Sequence, residues 1–210
     1  MKTQITDLKR YSKNSIKISI ENNFKNLSAG QCFSLGIPEM GINREYSIYS
    51  GEKDNHVDFL IRILNEGVLT SKLNQLNIND EIEISGPFGE FILNYEIKKK
   101  YLFIATGTGI APFHSFIKTF RDLDYFLLHG IKNSSDKYDY DEYDKNKIDF
   151  CISRETGVTK FTRVTEYLKT LEIEKFDEIY LCGNRHMISD CTEIINNQKP
   201  DSVIMTEVFF

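Results

Sequence analysis

With 210 residues, 40% of them hydrophobic and 27% charged, the chain is long enough for one large domain or two small ones and apolar enough to bury a core. The formal charge of -5 argues against general nucleic-acid binding but leaves room for a local basic patch that meets an acidic protein partner. The opening MKTQITDLKR has no apolar run and no later segment approaches the roughly 20 apolar residues of a membrane span, so a cytoplasmic protein without membrane contact is expected.

The first part carries five short β-rich runs: SIKISI (15–20), QCFSLGI (31–37), REYSIYS (44–50), VDFLIRIL (57–64) and DEIEISG (80–86). Asn, Gly, Pro and Lys punctuate them, which predicts an antiparallel barrel or sandwich. One segment there, GVLTSKLNQL (67–76), has helical spacing, with Leu69, Leu73 and Leu76 on one face. From Lys98 the pattern becomes strand, turn, helix. YLFIAT (101–106) leads into a helix over 110–120, with Pro112 in its first turn. YFLLHGI (125–131) and IDFCIS (148–153) are buried parallel strands; IYLCG (179–183) precedes a helix over 185–195, and SVIMTEVF (202–209) is the last strand. Alternating β and α units predict a doubly wound parallel sheet, with the boundary near the lysine run 98–100, hence domains 1–97 and 98–210. The acidic run DKYDYDEYD (136–144) is expected to be a solvated loop.

Cys32, Cys151, Cys182 and Cys191 have no C-x-x-C spacing, so no zinc ribbon, iron–sulfur cluster or disulfide scaffold is indicated, and no metal site is expected. Redox chemistry would need an organic cofactor. The turn in ATGTGIAPF (105–113) falls where a parallel sheet binds a pyrophosphate, although Gly107 and Gly109 fit a plain tight turn as well, and the third glycine of the dinucleotide fingerprint is missing. At later strand ends come SRETG (153–157), Arg163 and CGNRHM (182–187). A serine beside arginines suits a phosphate monoester such as the ribose 2′-phosphate that distinguishes NADP from NAD.

REYS, GVLTSKL, GPFGEF, ATGTGIAPF, SRETG, CGNRHM and the terminal TEVFF, in this order, resemble the ferredoxin or flavodoxin–NADP reductase family over roughly residues 44–210. The resemblance implies an amino-terminal flavin-binding antiparallel β-barrel and a carboxy-terminal NADP-binding α/β domain, with the active site in the cleft between them. It implies FAD and NADP(H) as cofactors, with FMN an alternative because the chain is short for the family. For the flavin it implies Arg44 at the phosphate with Gly67, Val68, Leu69 and Thr70, then Glu45, Tyr46 stacked on the ring, Ser47 at the hydride-accepting nitrogen, Tyr49, Thr108, and Phe209 with Phe210 covering the ring. Tyr49 either contacts the adenine or simply packs. Arg44 and Tyr46 share one face of a strand and Ser47 takes the other, so the chain must bend or the ring must lie across the strand edge.

For NADP the resemblance implies Thr106, Gly107, Gly109, Lys132, Ser153, Arg154, Arg163, Gly183, Asn184, Arg185, His186, Met187 and Asp190. Ser47, Cys182 and Glu207 are the implied catalytic residues, Cys182 as a packed soft side chain and not a covalent nucleophile. The implied activity is electron exchange between NADP(H), bound FAD and ferredoxin or flavodoxin, in a monomer that binds neither nucleic acid nor membrane. Alternatives are a free-flavin or oxygenase-component reductase on the same fold, and a non-catalytic flavin-binding sensor or subunit.

Overall fold

A computed structural model describes residues 1–64, 66–199 and 201–209, and the chain divides into two compact units. The first comprises Met1–Leu93 with Ala111–Thr119; the second comprises Asn94–Ile110 and the chain from Phe120 onward.

The first unit contains β1 (Lys2–Ser12), β2 (Ser15–Glu21), β3 (Cys32–Gly36), β4 (Asn43–Ser47), β5 (His56–Arg62), α1 (Val68–Leu73) and β6 (Glu81–Phe88). Its six strands form an antiparallel sheet in the order β4-β3-β6-β1-β2-β5. A bridge between Ile48 and Phe59 joins the two ends, so the sheet curls into a barrel. Period-two side chains explain the inside: Ile16, Ile18 and Ile20 of β2, Val57, Phe59 and Ile61 of β5, and Ile82 and Ile84 of β6 share one core with Phe33, Leu35 and the Leu69 and Leu73 face of α1. β1 was not legible as a strand, because of its eleven residues only Ile5 is buried.

The helix expected near 110–120 forms as α2 (Ala111–Thr119) and packs within this first unit. The His114 and Tyr49 rings are stacked with centroids 3.9 Å apart, and His114 Nδ1 lies 2.6 Å from the Tyr49 carbonyl. Glu52 N–H donates to Thr119 Oγ1 at 3.1 Å. Gly30 leaves the room that the Phe116 ring and the Phe91 carbonyl occupy.

The second unit contains β7 (Lys100–Thr106), a 3-10 turn (Gly107–Ile110), β8 (Asp124–Ile131), β9 (Ile148–Ile152), α3 (Val164–Leu168), β10 (Glu178–Gly183), α4 (Arg185–Gln198) and β11 (Val203–Val208). Its strands are all parallel, in the order β11-β10-β7-β8-β9. One face packs Leu102, Ile104, Leu128, Ile179 and Leu181 against α3 and α4. The α4 stripe of Met187, Ile188, Cys191 and Ile195 follows helical spacing, and Asn184 caps the helix by accepting from His186 N–H at 3.0 Å and Met187 N–H at 3.4 Å. On the other face Tyr101, Phe103, Tyr125 and Tyr180 form a ring-lined layer.

The acidic run is more anchored than a solvated loop. Tyr138 and Tyr143 are buried, Tyr140 stands edge-on to Phe150 at 5.3 Å, and within the run Asp141, Glu142 and Asp144 are the exposed residues. Among the described residues no helix is long and apolar enough to cross a membrane.

Candidate functional site

In the parallel sheet, β7 is followed by β8 and β9 on one side and bordered by β10 and β11 on the other, so β7 and β10 flank the point where strand order reverses. Open α/β sheets bind ligands at the carboxyl ends of such strands. Here those ends are residues 106–109 and 182–184. A hollow of about 360 Å³, lined by Lys100, Asp124, Tyr167 and Phe176 among others, opens at the amino ends of β7 and β8, away from this point.

The two strand ends are packed backbone to backbone. A Cβ on Gly109 would lie 2.5 Å from the Cys182 carbonyl oxygen and 2.7 Å from Gly183 Cα, and one on Gly183 would strike Thr106. Asn184 N–H donates to Thr106 Oγ1 at 2.9 Å. Gly107 has a different reason to be glycine: space around it is open, but its φ of +56° is in the left-handed region. One glycine therefore serves close approach and the other backbone conformation, which the sequence could not separate from a plain turn. Thr108 is buried in the same turn.

Register carries this chemistry across the sheet, aligning Ala105, Cys182 and Glu207 on β7, β10 and β11. The Cys182 S–H donates to Glu207 Oε2 at 3.6 Å. Burial, with the Glu207 charge beside it, holds the thiol pKa well above the usual cysteine range, so the sulfur keeps its proton. Phe209 N–H donates to the Gly183 carbonyl at 2.8 Å, which brings the chain end back to the same place; Phe210 lies outside the described residues. Arg185, His186 and Asp190 are exposed on the first turns of α4, whereas Met187 is buried under the helix with Cys191 because it falls on the apolar stripe.

A second cluster forms where β8 and β9 end. Arg154 N–H donates to the Lys132 carbonyl at 2.9 Å, so these two exposed cations stand on adjoining backbone. Ser153 ties the same strands by donating its hydroxyl to the Ile131 carbonyl at 3.2 Å; its proton is engaged there. Glu155 clamps the loops: its carboxylate accepts from Ser134 N–H at 2.7 Å and Ser134 Oγ at 2.5 Å, and these bonds hold its pKa below the usual range. Arg163 is exposed at the start of α3, where the Glu166 carboxylate accepts its backbone N–H at 3.3 Å.

In the first unit β4 lies at the sheet edge, with Arg44 and Tyr46 on the face of their partners Leu35 and Phe33, and Glu45 and Ser47 on the other. Tyr46 packs on the barrel core; its burial pushes the phenol up to about 12, and the Arg44 guanidinium pulls it back in part. Arg44 and Glu45 are exposed and Ser47 is buried. The Tyr49 ring is fully buried against His114, the packing alternative of the two. At α1, Val68 is exposed and Leu69 buried. Thr70 Oγ1 accepts from Leu64 N–H at 3.1 Å and donates to the Gly67 carbonyl at 3.3 Å, so this hydroxyl staples the turn before the helix, and Gly67 is the residue that leaves it room.

Residues 3–93 match the oxidoreductase FAD-binding domain family and residues 103–193 the oxidoreductase NAD-binding domain family. The chain thus combines a flavin domain and a pyridine-nucleotide domain, the architecture of a flavoprotein oxidoreductase. It is 29% identical to a flavodoxin/ferredoxin–NADP reductase of Buchnera aphidicola subsp. Baizongia pistaciae, over 93% of this chain and 90% of that protein. It is also 29% identical to the toluate 1,2-dioxygenase electron transfer component of Pseudomonas putida, over 92% of this chain but only 62% of that protein's length. Its fold is like that of a ferredoxin NADP+ reductase from Neisseria gonorrhoeae solved with bound FAD and NADP, with a TM-score of 0.81, 21% identity and coverage of 100% of this chain and 98% of that one. The chain thus carries the oxidoreductase FAD-binding and NAD-binding domains, and flavodoxin/ferredoxin–NADP reductases are among the proteins it is similar to along most of its length.

Three residues now visible were not singled out from sequence. His129 sat inside an apolar run, and only its place next to Gly130 at a strand end offered a signal. Glu155 and Ser134 read as loop polarity, since their pairing spans 21 positions.

Proposed function

We propose that the chain is an NADPH-dependent flavoprotein reductase that exchanges electrons among NADP(H), bound FAD and ferredoxin or flavodoxin. The observation that carries this reading is the Cys182–Glu207 pair in register beside the 106–109 turn, at the sheet's reversal point, in a chain with FAD- and NAD-binding domains. When bound, the flavin supplies the conversion between two-electron hydride transfer and one-electron transfer.

The side chains suit these groups. Arg44, exposed and charged beside the Tyr46 ring, provides a phosphate partner adjacent to a stacking surface, with Ser47 on the opposite face of an edge strand as hydrogen-bond partner of the ring nitrogen. Glu45 and the backbone from Gly67 to Leu69 complete that end, while Thr70 shapes the turn. Cys182, kept protonated, supplies a small apolar wall beside the nicotinamide carbon, and Glu207 holds the adjacent proton or carboxamide. Phe209 covers the ring face. Lys132 and Arg154 hold the 2′-phosphate with Arg163, and Asn184 to His186 with Asp190 border the coenzyme. The chain works as a monomer in the cytoplasm.

A second reading, the reductase component of an oxygenase, is favoured by the toluate dioxygenase relative, and the two differ in the acceptor. Anaerobic reduction of the flavoprotein by NADPH, followed by rapid mixing with purified flavodoxin, ferredoxin or an oxygenase's iron–sulfur component, separates them. Fast reoxidation by flavodoxin or ferredoxin supports the first reading. Reoxidation by the oxygenase component alone replaces it.

A further inference from the structure

His129 is fully buried in β8, in register with Ala105 of β7 and Phe150 of β9, with β7 alone standing between it and Cys182 of β10. Its Nε2 lies 2.8 Å from the carbonyl oxygen of Gly107. A carbonyl can only accept, so the ring nitrogen facing it must carry the proton. The other nitrogen, Nδ1, is buried and has no hydrogen-bond partner among the described residues. A buried acceptor without a donor is unfavourable, so the imidazole is accounted for by what Nε2 does. Burial lowers the ring's pKa to about 4, which keeps it neutral and keeps that single proton on Nε2.

Gly107 needs such an anchor. At φ +56°, with open space where a Cβ would stand, glycine allows the peptide that follows to turn over. The opposite flank of the turn is already fixed by the Thr106–Asn184 bond and by the contact of Gly109 with Cys182 and Gly183. On the β8 side, the Gly107 carbonyl is the group that His129 holds. In a trans peptide the carbonyl and the next N–H point in opposite directions, so capturing Gly107 O aims Thr108 N–H away from His129. Tyr138 and Phe150 wall the imidazole, with ring centroids 6.2 and 5.7 Å away. Tyr138 comes from the acidic run, so that segment contributes a buried tyrosine that backs the histidine.

We propose that His129 is a positioning residue of the nucleotide turn, its Nε2–H locking the Gly107–Thr108 peptide in the orientation that presents Thr108 N–H to the pyridine nucleotide. The idea rests on the reading of 106–109 as the nucleotide turn. The role is indirect, since His129 acts on the coenzyme only through Gly107. A glutamine at 129 can still offer an N–H near the Nε2 position, whereas a leucine fills the space without a donor.

The test uses the full flavin-loaded chain and the variants His129→Leu and His129→Gln. The leucine variant should raise KM for NADPH about tenfold, with a smaller change in kcat and unchanged flavin content. The glutamine variant should recover most of that loss. Nitrogen-15 NMR of the wild-type imidazole should show the proton on Nε2, and Thr108 amide exchange should speed up in the leucine variant. Equal KM values for the two variants, or a proton found on Nδ1, would overturn the proposal. If the leucine variant fails to fold, the wild-type tautomer and the glutamine variant still decide. If wild-type protein neither binds nor oxidises NADPH, the nucleotide reading fails by itself, and the tautomer and exchange measurements still report on the Gly107 anchor.

Discussion

Gly107 and Gly109 are two residues apart, and the structure predicts separable consequences for the same substitution. In Gly109→Ala the new Cβ would sit 2.5 Å from the Cys182 carbonyl, where ordinary contact begins at 3.4 Å, and the obstacle is backbone. The 106–109 turn and the Cys182 strand end must separate by about 1 Å, at a cost of about 1–3 kcal/mol for overpacking. A displacement of about 1 Å between groups that orient a reacting carbon is worth about 100-fold in rate. In Gly107→Ala nothing lies within 4 Å of the new methyl, so the penalty is conformational, about 1–2 kcal/mol for a left-handed alanine. At about 2–4 °C per kcal/mol for a chain of this size, the two variants should lose similar Tm. They should part in kcat/KM for NADPH-driven reduction of ferricyanide, which falls about 100-fold in Gly109→Ala and much less in Gly107→Ala. A Gly109→Ala enzyme with wild-type kcat/KM would refute the claim that close backbone packing at the reversal point sets the site's geometry.

Other consequences are separable. Arg154→Ala should raise KM for NADPH at least tenfold while leaving KM for NADH nearly unchanged; equal effects would remove the 2′-phosphate assignment. Glu155→Ala, which releases the Ser134 loop from its neighbour, should raise KM for NADPH in the same direction by a smaller factor, and an unchanged value would mean that the clamp does not position Lys132 and Arg154. For stability, a histidine with a pKa of about 4 when folded and about 6.5 when unfolded leaves the unfolded chain binding more protons between those values. Stability therefore falls as pH drops from about 6.5 to about 4, by about 3 kcal/mol from this group, and changes no further below. The neighbouring Tyr138 and Phe150 carry no charge in that range. Urea unfolding at pH 4.5 and pH 7 should show His129→Gln with a smaller pH-dependent loss than wild type; identical losses would contradict the buried neutral imidazole.

How much was readable in advance depended on what each element buries. β2, β5 and β7 announced themselves because alternation or a continuous apolar run reflects one or two buried faces. β1 gave no such signal, since it is held by backbone pairing to β2 and β6 while its side chains stay largely in water. α3 has five residues and buries only Val164 and Leu168, too short for periodicity to register. The acidic run misled because charge dominated the reading, although its tyrosines recur among the aspartates and two of them anchor it.

Of the candidate site, the sequence offered residue types and their order, and the structure adds how they are placed. Cys182 and Glu207, 25 positions apart, could be named through family resemblance, but their hydrogen bond follows from parallel register, which the sequence does not print. Hydroxyls were read less well. Thr70 and Ser153 looked like donors for phosphates, yet each gives its proton to a nearby carbonyl, because a short side chain beside a turn or strand end finds backbone first. Met187 looked like part of a coenzyme motif and sits in the core, because position 187 falls on the buried stripe of α4.

The most direct measurement is anaerobic mixing of the purified protein with NADPH while the visible flavin spectrum is recorded. The account predicts a yellow protein whose flavin absorbance bleaches rapidly with NADPH and far more slowly with NADH. A colourless protein that cannot be reconstituted with FAD, or a bound flavin that NADPH leaves oxidised, would contradict it.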